Sequence, residues 1–216
     1  LKDDVLEGDL YLKGSGDPKL TYEQFWRLLR QVRQRGIGEI RGDLVLDRSV
    51  FDVGEVDPGR FDGQPMRPYN VAPDGLLVNF NAITLTLAAE AGSDSVTLMP
   101  EPSPANLDIV NRLKAVAGNA CGDWREALRA DVFNHGGSTR LVLSGNYPVA
   151  CGDQRWNLVT MDPARHAFGI FRGLWSELGG RFGGELREGR VPDAARRVAA
   201  LKSPALAEVV RDINKF

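Results

Sequence analysis

The sequence predicts a protein of mixed α/β and α+β class, with a mostly parallel sheet in one part and a separate β-rich part. Two observations carry this prediction. Near the amino terminus, an amphipathic repeat lies between two short apolar runs, a pattern typical of a βαβ unit with parallel strands and a right-handed crossover. In the middle of the chain, apolar residues alternate with polar ones between turn signals, as in strands and hairpins.

The predicted βαβ unit begins with a strand over residues 9–12, where polar and apolar residues alternate. Thr21 and Gln24 form a capping-box pattern that predicts the start of a helix, and Gly36 can end it. Residues 40–46 form the second strand. The apolar face of the helix has helical spacing and consists of Phe25, Leu28, Leu29 and Val32.

A long loop is predicted next, over residues 53–74. It contains four prolines and three glycines, which disfavour regular elements. Loops longer than about 12–15 residues are usually functional or disordered. This segment is therefore the first place in the chain to look for a functional site.

Further elements follow the loop. We expect strands over residues 76–80, 83–89 and 96–99, a hairpin around residues 134–137, and a last pair of strands over 182–186 and 198–201. Three further helices are expected. The first is capped by Asn106, and its apolar face consists of Leu107, Val110, Leu113 and Ala117. The second starts at Asp162-Pro163, and the third starts at Ser203-Pro204, with an apolar face of Leu206, Val209, Val210 and Ile213.

The composition is that of a globular protein, with 43% hydrophobic and 26% charged residues. The net charge of −2 gives no sign of nucleic-acid binding. No apolar run reaches the roughly 18 residues of a transmembrane helix. The sequence contains no cofactor-binding motif: Gly14-x-Gly16 lacks the third glycine of a dinucleotide fingerprint, so no cofactor is expected.

The chain has two cysteines, Cys121 and Cys151, each next to a glycine. From the residues alone, two buried free thiols and a disulfide are both open, and a disulfide would require an oxidising compartment. A metal site is not predicted, because only His135 and His166 can join the cysteines and no ligand spacing is met.

Three stretches resemble a known family: residues 8–12, residues 42–52 and the predicted terminal helix with Asp212 to Phe216. The chain resembles the class C low-molecular-mass penicillin-binding proteins, which are periplasmic D-alanyl-D-alanine carboxypeptidases and endopeptidases. The resemblance implies a serine-type enzyme that cleaves peptidoglycan stem peptides through an acyl-serine intermediate and is inhibited by β-lactams. It also implies that this chain is the middle of such an enzyme.

The catalytic motifs of such an enzyme are missing from the sequence. No Ser-x-x-Lys occurs, although a nucleophilic serine needs the lysine amine as its base. Ser144-Gly145-Asn146 spells Ser-x-Asn, but we interpret it as a turn at the end of a strand. The alternative from another class is a freestanding, non-catalytic module that binds the cell wall or assists assembly. An upstream Ser-x-x-Lys in the gene would discriminate between the two.

The resemblance further implies a domain organisation. The outer insert domain would consist of residues 8–82 and 157–192, and a β-rich domain nested within it would consist of residues 83–156. The chain would belong to the catalytic, penicillin-recognising domain at both ends, in residues 1–7 and again in residues 193–216. Family members often bridge the nested region, so a Cys121–Cys151 disulfide is expected there.

The resemblance also implies a role for the long loop, which in this family projects toward the mouth of the active site. There, acidic and aromatic residues meet the side chain of the stem peptide. Asp62 and Phe61 are the candidates for substrate binding in this sequence. Arg60 stands where relatives commonly have tryptophan. The alternative is a solvated loop held by its prolines.

Overall fold

The structure is a computed structural model that describes residues 4–90, 92–118 and 120–215. Within these residues there are three α-helices and twelve strands. The helices are α1 (Tyr22–Gln34), α2 (Pro163–Glu177) and α3 (Leu206–Ile213). The strands are β1 (Val5–Leu6), β2 (Leu10–Lys13), β3 (Glu39–Ile40), β4 (Leu44–Asp47), β5 (Ile83–Ala89), β6 (Val96–Glu101), β7 (Leu107–Val116), β8 (Leu128–His135), β9 (Ser138–Pro148), β10 (Gln154–Leu158), β11 (Arg181–Phe182) and β12 (Leu186–Glu188).

The predicted βαβ unit is confirmed, because β2 and β4 are parallel neighbours joined by α1. The structure adds β12 on the other side of β4, again parallel, to give the order β12-β4-β2. Helix α1 begins as predicted: the Thr21 hydroxyl accepts a hydrogen bond from the Gln24 N–H at 3.4 Å. The helix ends before Gly36, whose φ is +88°.

The predicted strand over residues 40–46 is interrupted, and the interruption recurs in all three parallel strands. A second small sheet of order β1-β3-β11 precedes the first, and the break falls at Gly8, Gly42 and Gly184. A Cβ on Gly42 would lie 2.4 Å from the Gly8 carbonyl carbon, so only glycine allows the backbones to approach so closely here.

Aspartate side chains replace the missing backbone hydrogen bonds at this break. Asp9 Oδ1 accepts a hydrogen bond from the Asp43 N–H at 2.8 Å, and Asp43 Oδ1 accepts one from the Glu185 N–H at 2.9 Å. These local side-chain bonds compete with the regular ladder. The Gly-Asp pairs at residues 8–9 and 42–43, and Gly184-Glu185 in the third strand, therefore mark the break that divides each strand into two short pieces.

The middle of the chain forms two further sheets. The order β10-β5-β6 is antiparallel throughout, whereas β9 in the order β7-β9-β8 pairs in parallel with β7 and antiparallel with β8. The hairpin of β8 and β9 is confirmed, with its turn at Gly136 in the left-handed region, as tight hairpin turns require. The mixed class with several sheets is therefore observed.

Two separate hydrophobic cores underlie these sheets. The first joins α1, α2 and the parallel strands, with Phe25, Ile40, Leu44, Phe171 and Trp175 fully buried. The second joins β5, β7, β9 and β10, with Ile83, Leu85, Leu141 and Tyr147 fully buried. Helix α2 starts as predicted, because the Asp162 carboxylate accepts a hydrogen bond from the Arg165 N–H at 3.0 Å and Pro163 is its first residue.

The helix predicted after Asn106 is wrong: residues 107–116 are strand β7. Two periodicities coexist in this segment, and the alternating one prevails. Leu107, Ile109, Leu113 and Ala115 lie at alternate positions and pack against the second core. Pairing with all ten residues of β7 supplies a strand ladder along β9. Asn106 caps no helix and instead donates its side-chain N–H to the Arg165 carbonyl at 3.0 Å.

The strand predicted over residues 76–80 is also wrong, since residues 79–81 form a turn with left-handed backbone. Asn79, Phe80 and Asn81 all have positive φ, which a strand does not allow. Asn79 holds the turn: its N–H donates to the Leu20 carbonyl at 2.8 Å and its side-chain amide to the Ala82 carbonyl at 3.0 Å.

Three other predictions need correction. Residues 198–201 form no strand; Val198, Ala199 and Leu201 pack against the first core as irregular chain.

Helix α3 begins at Leu206 rather than at Ser203, because the Ser203 hydroxyl donates to Asp17 Oδ1 at 2.6 Å and caps nothing. In the predicted apolar face of α3, Val209 is buried but Leu206 and Val210 are exposed, and the side chain of Ile213 lies outside the described residues.

Ser144-Gly145-Asn146 is not a turn at the end of a strand. It lies within β9, where Gly145 faces Leu113 of β7 and Leu128 of β8. Gly145 has φ +118°, and a Cβ there would lie 2.3 Å from the Ala127 carbonyl oxygen. The glycine therefore serves the close approach of two strands.

Candidate functional site

The long loop starts where β4 ends, and a buried aspartate organises this point. Asp47 is only 2% exposed. Its carboxylate accepts hydrogen bonds from the Ser49 hydroxyl at 2.7 Å, the Ser49 N–H at 3.2 Å and the Val191 N–H at 3.0 Å. The hydrogen bonds from Val191 and Ser49 hold the pKa of Asp47 below its ordinary value. Asp47 therefore joins the start of the loop to the chain after β12.

An ion-pair cluster closes the base of the same loop. The Arg48 guanidinium contacts Asp74 through two nitrogens, with Nε 2.9 and 3.0 Å from the two carboxylate oxygens. The third nitrogen of Arg48 contacts Glu188 Oε2 at 2.8 Å, at the end of β12. Paired, bidentate contacts of this kind fix geometry as well as charge. The two ends of the loop are therefore joined to each other and to the sheet.

Asp62, one of the two candidate residues, lies at the centre of a hydrogen-bonded cluster inside the loop. It accepts hydrogen bonds from the Tyr69 hydroxyl at 2.5 Å, the Asn70 amide at 2.8 Å and the Gln64 N–H at 2.9 Å. Arg67 lies 3.5 Å from it. The hydrogen bond from Tyr69 lowers the pKa of Asp62, with a smaller contribution from Asn70. The carboxylate is therefore anionic at neutral pH and already engaged within the loop.

Phe61, the other candidate, is the most exposed large apolar residue in the part of the chain that the structure describes, at 85%. Other exposed apolar side chains accompany it along the same stretch of sequence: Val50, Phe51, Val53, Val56 and Tyr69. The structure brings Phe61 and Asp62 next to each other but gives them opposite environments.

A cavity of about 400 Å³ lies beneath the start and the end of the loop. Its lining combines ionic groups, Arg48, Asp74, Glu188 and Arg190, with the apolar side chains of Phe51, Val53 and Pro73. It opens at the carboxyl ends of the parallel strands β4 and β12, the edge at which α/β sheets usually bind ligands. The loop therefore forms a wall over this edge of the sheet.

Among the described residues, the serine hydroxyl groups that form side-chain hydrogen bonds have aspartate or serine as partners, and none is bonded to a lysine or histidine that could act as its base. The two histidines lie apart in the fold, His135 at the exposed end of β8 and His166 buried in α2. Burial lowers the pKa of His166 to about 4, which keeps its ring neutral at pH 7. Among the residues searched, no group of three or more His, Cys, Asp or Glu side chains is placed to hold a metal ion.

Cys121 and Cys151 form a disulfide with an S–S distance of 2.04 Å, as the family resemblance implied. The bond closes the segment that contains the β8–β9 hairpin. Trp124 and Tyr147 pack edge to face next to it, with ring centroids 5.9 Å apart. This disulfide supports the second core rather than the long loop.

The sequence alone indicates no role for the residues that organise the loop. Asp47, Arg48 and Ser49 were part of the family resemblance, but the partners Asp74 and Glu188 lie far along the chain. Their pairing depends on the sheet register that places β12 beside β4. The one signal available in the sequence is that a charged residue stands at each end of the proline-rich loop, Arg48 before it and Asp74 at its end.

Comparisons with known proteins agree on one family. The model of the D-Ala-D-Ala carboxypeptidase 3 (S13) family matches residues 1–216. A D-alanyl-D-alanine carboxypeptidase of Actinomadura sp. is 26% identical over 219 residues, covering 96% of this chain and 39% of that protein. The D-alanyl-D-alanine carboxypeptidase DacB of Haemophilus influenzae is 27% identical over 114 residues, covering 53% of this chain and 24% of that protein.

Solved structures give the same result for the fold. The crystal structure of penicillin-binding protein 4 (dacB) from Haemophilus influenzae matches 99% of this chain and 46% of that chain, with a TM-score of 0.73 and 22% identity. The same protein in complex with a β-lactam matches with a TM-score of 0.67 and 20% identity, again over 99% of this chain. This chain therefore spans less than half the length of each of these relatives. Across the described residues, no helix combines the length and apolar character needed to cross a membrane.

Proposed function

Because this chain belongs to the D-Ala-D-Ala carboxypeptidase 3 (S13) family of low-molecular-mass penicillin-binding proteins, we propose that it is the non-catalytic insert region of a serine-type D-Ala-D-Ala carboxypeptidase/endopeptidase. The intact enzyme acts on peptidoglycan stem peptides in the periplasm through an acyl-serine intermediate, and β-lactams acylate the same serine. The observation that carries this proposal is the family match over the whole chain. The absence of Ser-x-x-Lys from the sequence supports assigning the nucleophile to another segment.

The same proposal includes a division of the chain. Residues 8–82 and 157–192 form the outer insert domain, residues 83–156 form the nested β-rich domain, and residues 1–7 and 193–216 belong with the catalytic domain. The two hydrophobic cores support the separation of the nested domain from the outer insert, although Leu6 and Val198, from the two flanking segments, also pack against the first core. Members of the first core fall before residue 79 and after residue 163, whereas members of the second fall mainly between residues 83 and 158.

Within the enzyme, the loop of residues 53–74 forms one wall of the substrate site. Asp62 and Phe61 contribute to recognition in different ways. The exposed ring of Phe61 contacts the stem peptide directly. Asp62 provides negative charge near the amine of the peptide side chain and also holds Tyr69 and Asn70 in place. An ion pair across a wet surface contributes little, so water exclusion by neighbouring apolar groups decides its strength.

One experiment tests the proposed enzyme. The gene on either side of this segment is sequenced, and the full-length protein is assayed for release of D-Ala from stem peptides and for acylation by a penicillin. An upstream Ser-x-x-Lys together with both activities supports the proposal. A gene that encodes no such motif and a protein that binds peptidoglycan without cleaving it would identify the freestanding binding module instead.

A second experiment tests the substrate wall. Asp62→Ala and Phe61→Ala in the full-length enzyme are compared with Glu55→Ala, which removes an exposed acid from the same loop. The first two should weaken turnover of stem peptides with a free side-chain amine more than acylation by simple penicillins, which lack that group. Glu55→Ala should change neither. If the Asp62 and Phe61 variants behave like the control, the loop is a solvated loop and not a wall.

A further inference from the structure

Among the ion pairs formed by the described residues, Arg48–Asp74 has the most buried side chains. The Asp74 side chain is 4% exposed and the Arg48 side chain 25% exposed. Asp74 also accepts a hydrogen bond from the Leu76 N–H at 2.8 Å, so its carboxylate is saturated. Charged groups with this degree of burial must be paired and hydrogen-bonded to be tolerated. The pair therefore holds one defined geometry.

Arg48 precedes the loop and Asp74 ends it, so their contact closes the loop at its base. Glu188 adds the end of β12 as a third chain segment, at 2.8 Å from Arg48. Next to them, Asp47 connects Ser49 and Val191. Two adjacent side chains at the end of β4 thus join three distant chain positions, Asp74, Glu188 and Val191, at the base of the loop.

The remainder of the loop has few other anchors. Its hydrogen bonds among the described residues run mainly within the loop, as in the cluster around Asp62. Within the described part of the chain, one backbone hydrogen bond joins the loop to another segment, from the Val159 N–H to the Met66 carbonyl at 2.8 Å. Met66 also packs against the second core. The position of the exposed tip therefore depends on two supports, the base cluster and Met66.

We propose that Arg48 is a positioning residue for substrate selection: by binding Asp74 and Glu188, it sets where the wall of residues 53–74 stands over the edge of the sheet. This inference rests on the proposed role of the loop as a substrate wall. It assigns Arg48 no contact with the substrate. It predicts that loss of the pair moves or loosens the loop while both hydrophobic cores stay folded.

Hydrogen exchange in the 216-residue chain tests the structural half of the inference. Arg48→Met alone would leave Asp74 buried and unpaired, which can unfold the chain. The double variant Arg48→Met/Asp74→Leu removes both charges and avoids this problem. Exchange of amides in residues 53–74 should become roughly 10- to 100-fold faster, the range expected when bonds to a charged group are lost. Arg187→Met removes two exposed ion pairs from the same sheet and should leave the loop unaffected.

Kinetics of the full-length enzyme test the functional half. In the double variant, KM for stem peptides should rise more than kcat falls, and the ratio of stem-peptide turnover to penicillin acylation should decrease. Arg48→Lys keeps the charge without the bidentate contact and should restore only part of the ratio. If exchange in residues 53–74 does not change, Arg48 does not hold the loop. The inference then fails, whether or not the loop is a substrate wall. If the loop loosens but the ratio stays constant, the loop is no substrate wall, and the premise fails instead.

Discussion

The buried His166 makes the stability of this fold dependent on pH in a calculable way. His166 lies in α2 with 1% of its surface exposed, and its Nε2 has no hydrogen-bond partner among the described residues. Burial lowers its pKa from 6.5 to about 4, and the nearby Asp162 carboxylate offsets only part of this effect. In the unfolded chain the ring returns to its ordinary pKa. Between these two values, the unfolded state therefore binds more protons than the folded state.

The sign and size follow from this difference. Above about pH 7, His166 adds no pH dependence to the free energy of unfolding. As the pH falls below 6.5 toward the folded pKa, the buried ring stays neutral while the ring of the unfolded chain binds a proton, so the free energy of unfolding decreases. The full loss, reached below both pKa values, is about 3 kcal/mol, because each pKa unit corresponds to about 1.4 kcal/mol. At pH 5 the loss is about 2 kcal/mol. For a domain whose total stability is roughly 5–15 kcal/mol, this is a large fraction.

Urea unfolding of the wild type and of His166→Gln, measured between about pH 7.5 and pH 5, isolates this contribution. Glutamine does not titrate, so the wild type should lose about 2 kcal/mol more than the variant over this range. His135→Gln is the matched control, because it replaces the other histidine of the chain, which is exposed at the end of β8. Equal pH dependence in the wild type and His166→Gln would refute the reasoning.

Two further predictions concern the second core. Reduction of the Cys121–Cys151 bond should destabilise the region around β7, β8 and β9 by about 3–4 kcal/mol in the chain-entropy model. Hydrogen exchange should locate the loss of protection there rather than around α1. Protection lost equally in both regions would show that the two cores unfold as one unit. Gly145→Ala should destabilise the same region, since the new methyl group would lie 2.3 Å from the Ala127 carbonyl oxygen at φ +118°. Gly118→Ala, which meets no atom within 4 Å, is its control, and an equal melting temperature for both variants would contradict the packing argument.

Elements with local signals could be predicted from the sequence. Thr21 and Asp162 cap their helices through contacts only three residues away, so the sequence contains the whole signal. The same holds for the turn at Gly136, where the strand pattern on both sides and the glycine agree. These are the places where local preference and final fold point to the same structure.

Elements that depend on distant partners could not be predicted in this way. Residues 107–116 match both a helical and an alternating pattern, and the presence of β9 as a neighbour decides for the strand. The turn at Asn79 depends on the Leu20 carbonyl, almost sixty residues earlier, and α3 starts late because Ser203 binds Asp17.

The candidate site also combines features that have a local signal in the sequence with features that depend on distant partners. Asp62 and Phe61 lie in a loop whose length and composition could be read directly from the sequence. Their environments could not, because Tyr69 folds back onto Asp62 while the ring of Phe61 projects into solvent. The pairing of Arg48 with Asp74 and Glu188 requires the parallel register of β4 and β12, which no local pattern in the sequence specifies.

The central claim is that this chain supports catalysis without performing it, and penicillin labelling tests it most directly. The 216-residue chain and the full-length protein are each incubated with a fluorescent penicillin and separated by denaturing electrophoresis. The account predicts that the chain stays unlabelled, because it contains no Ser-x-x-Lys, and that the full-length protein is labelled in a one-to-one ratio. A stoichiometric covalent adduct on the 216-residue chain itself would contradict the account.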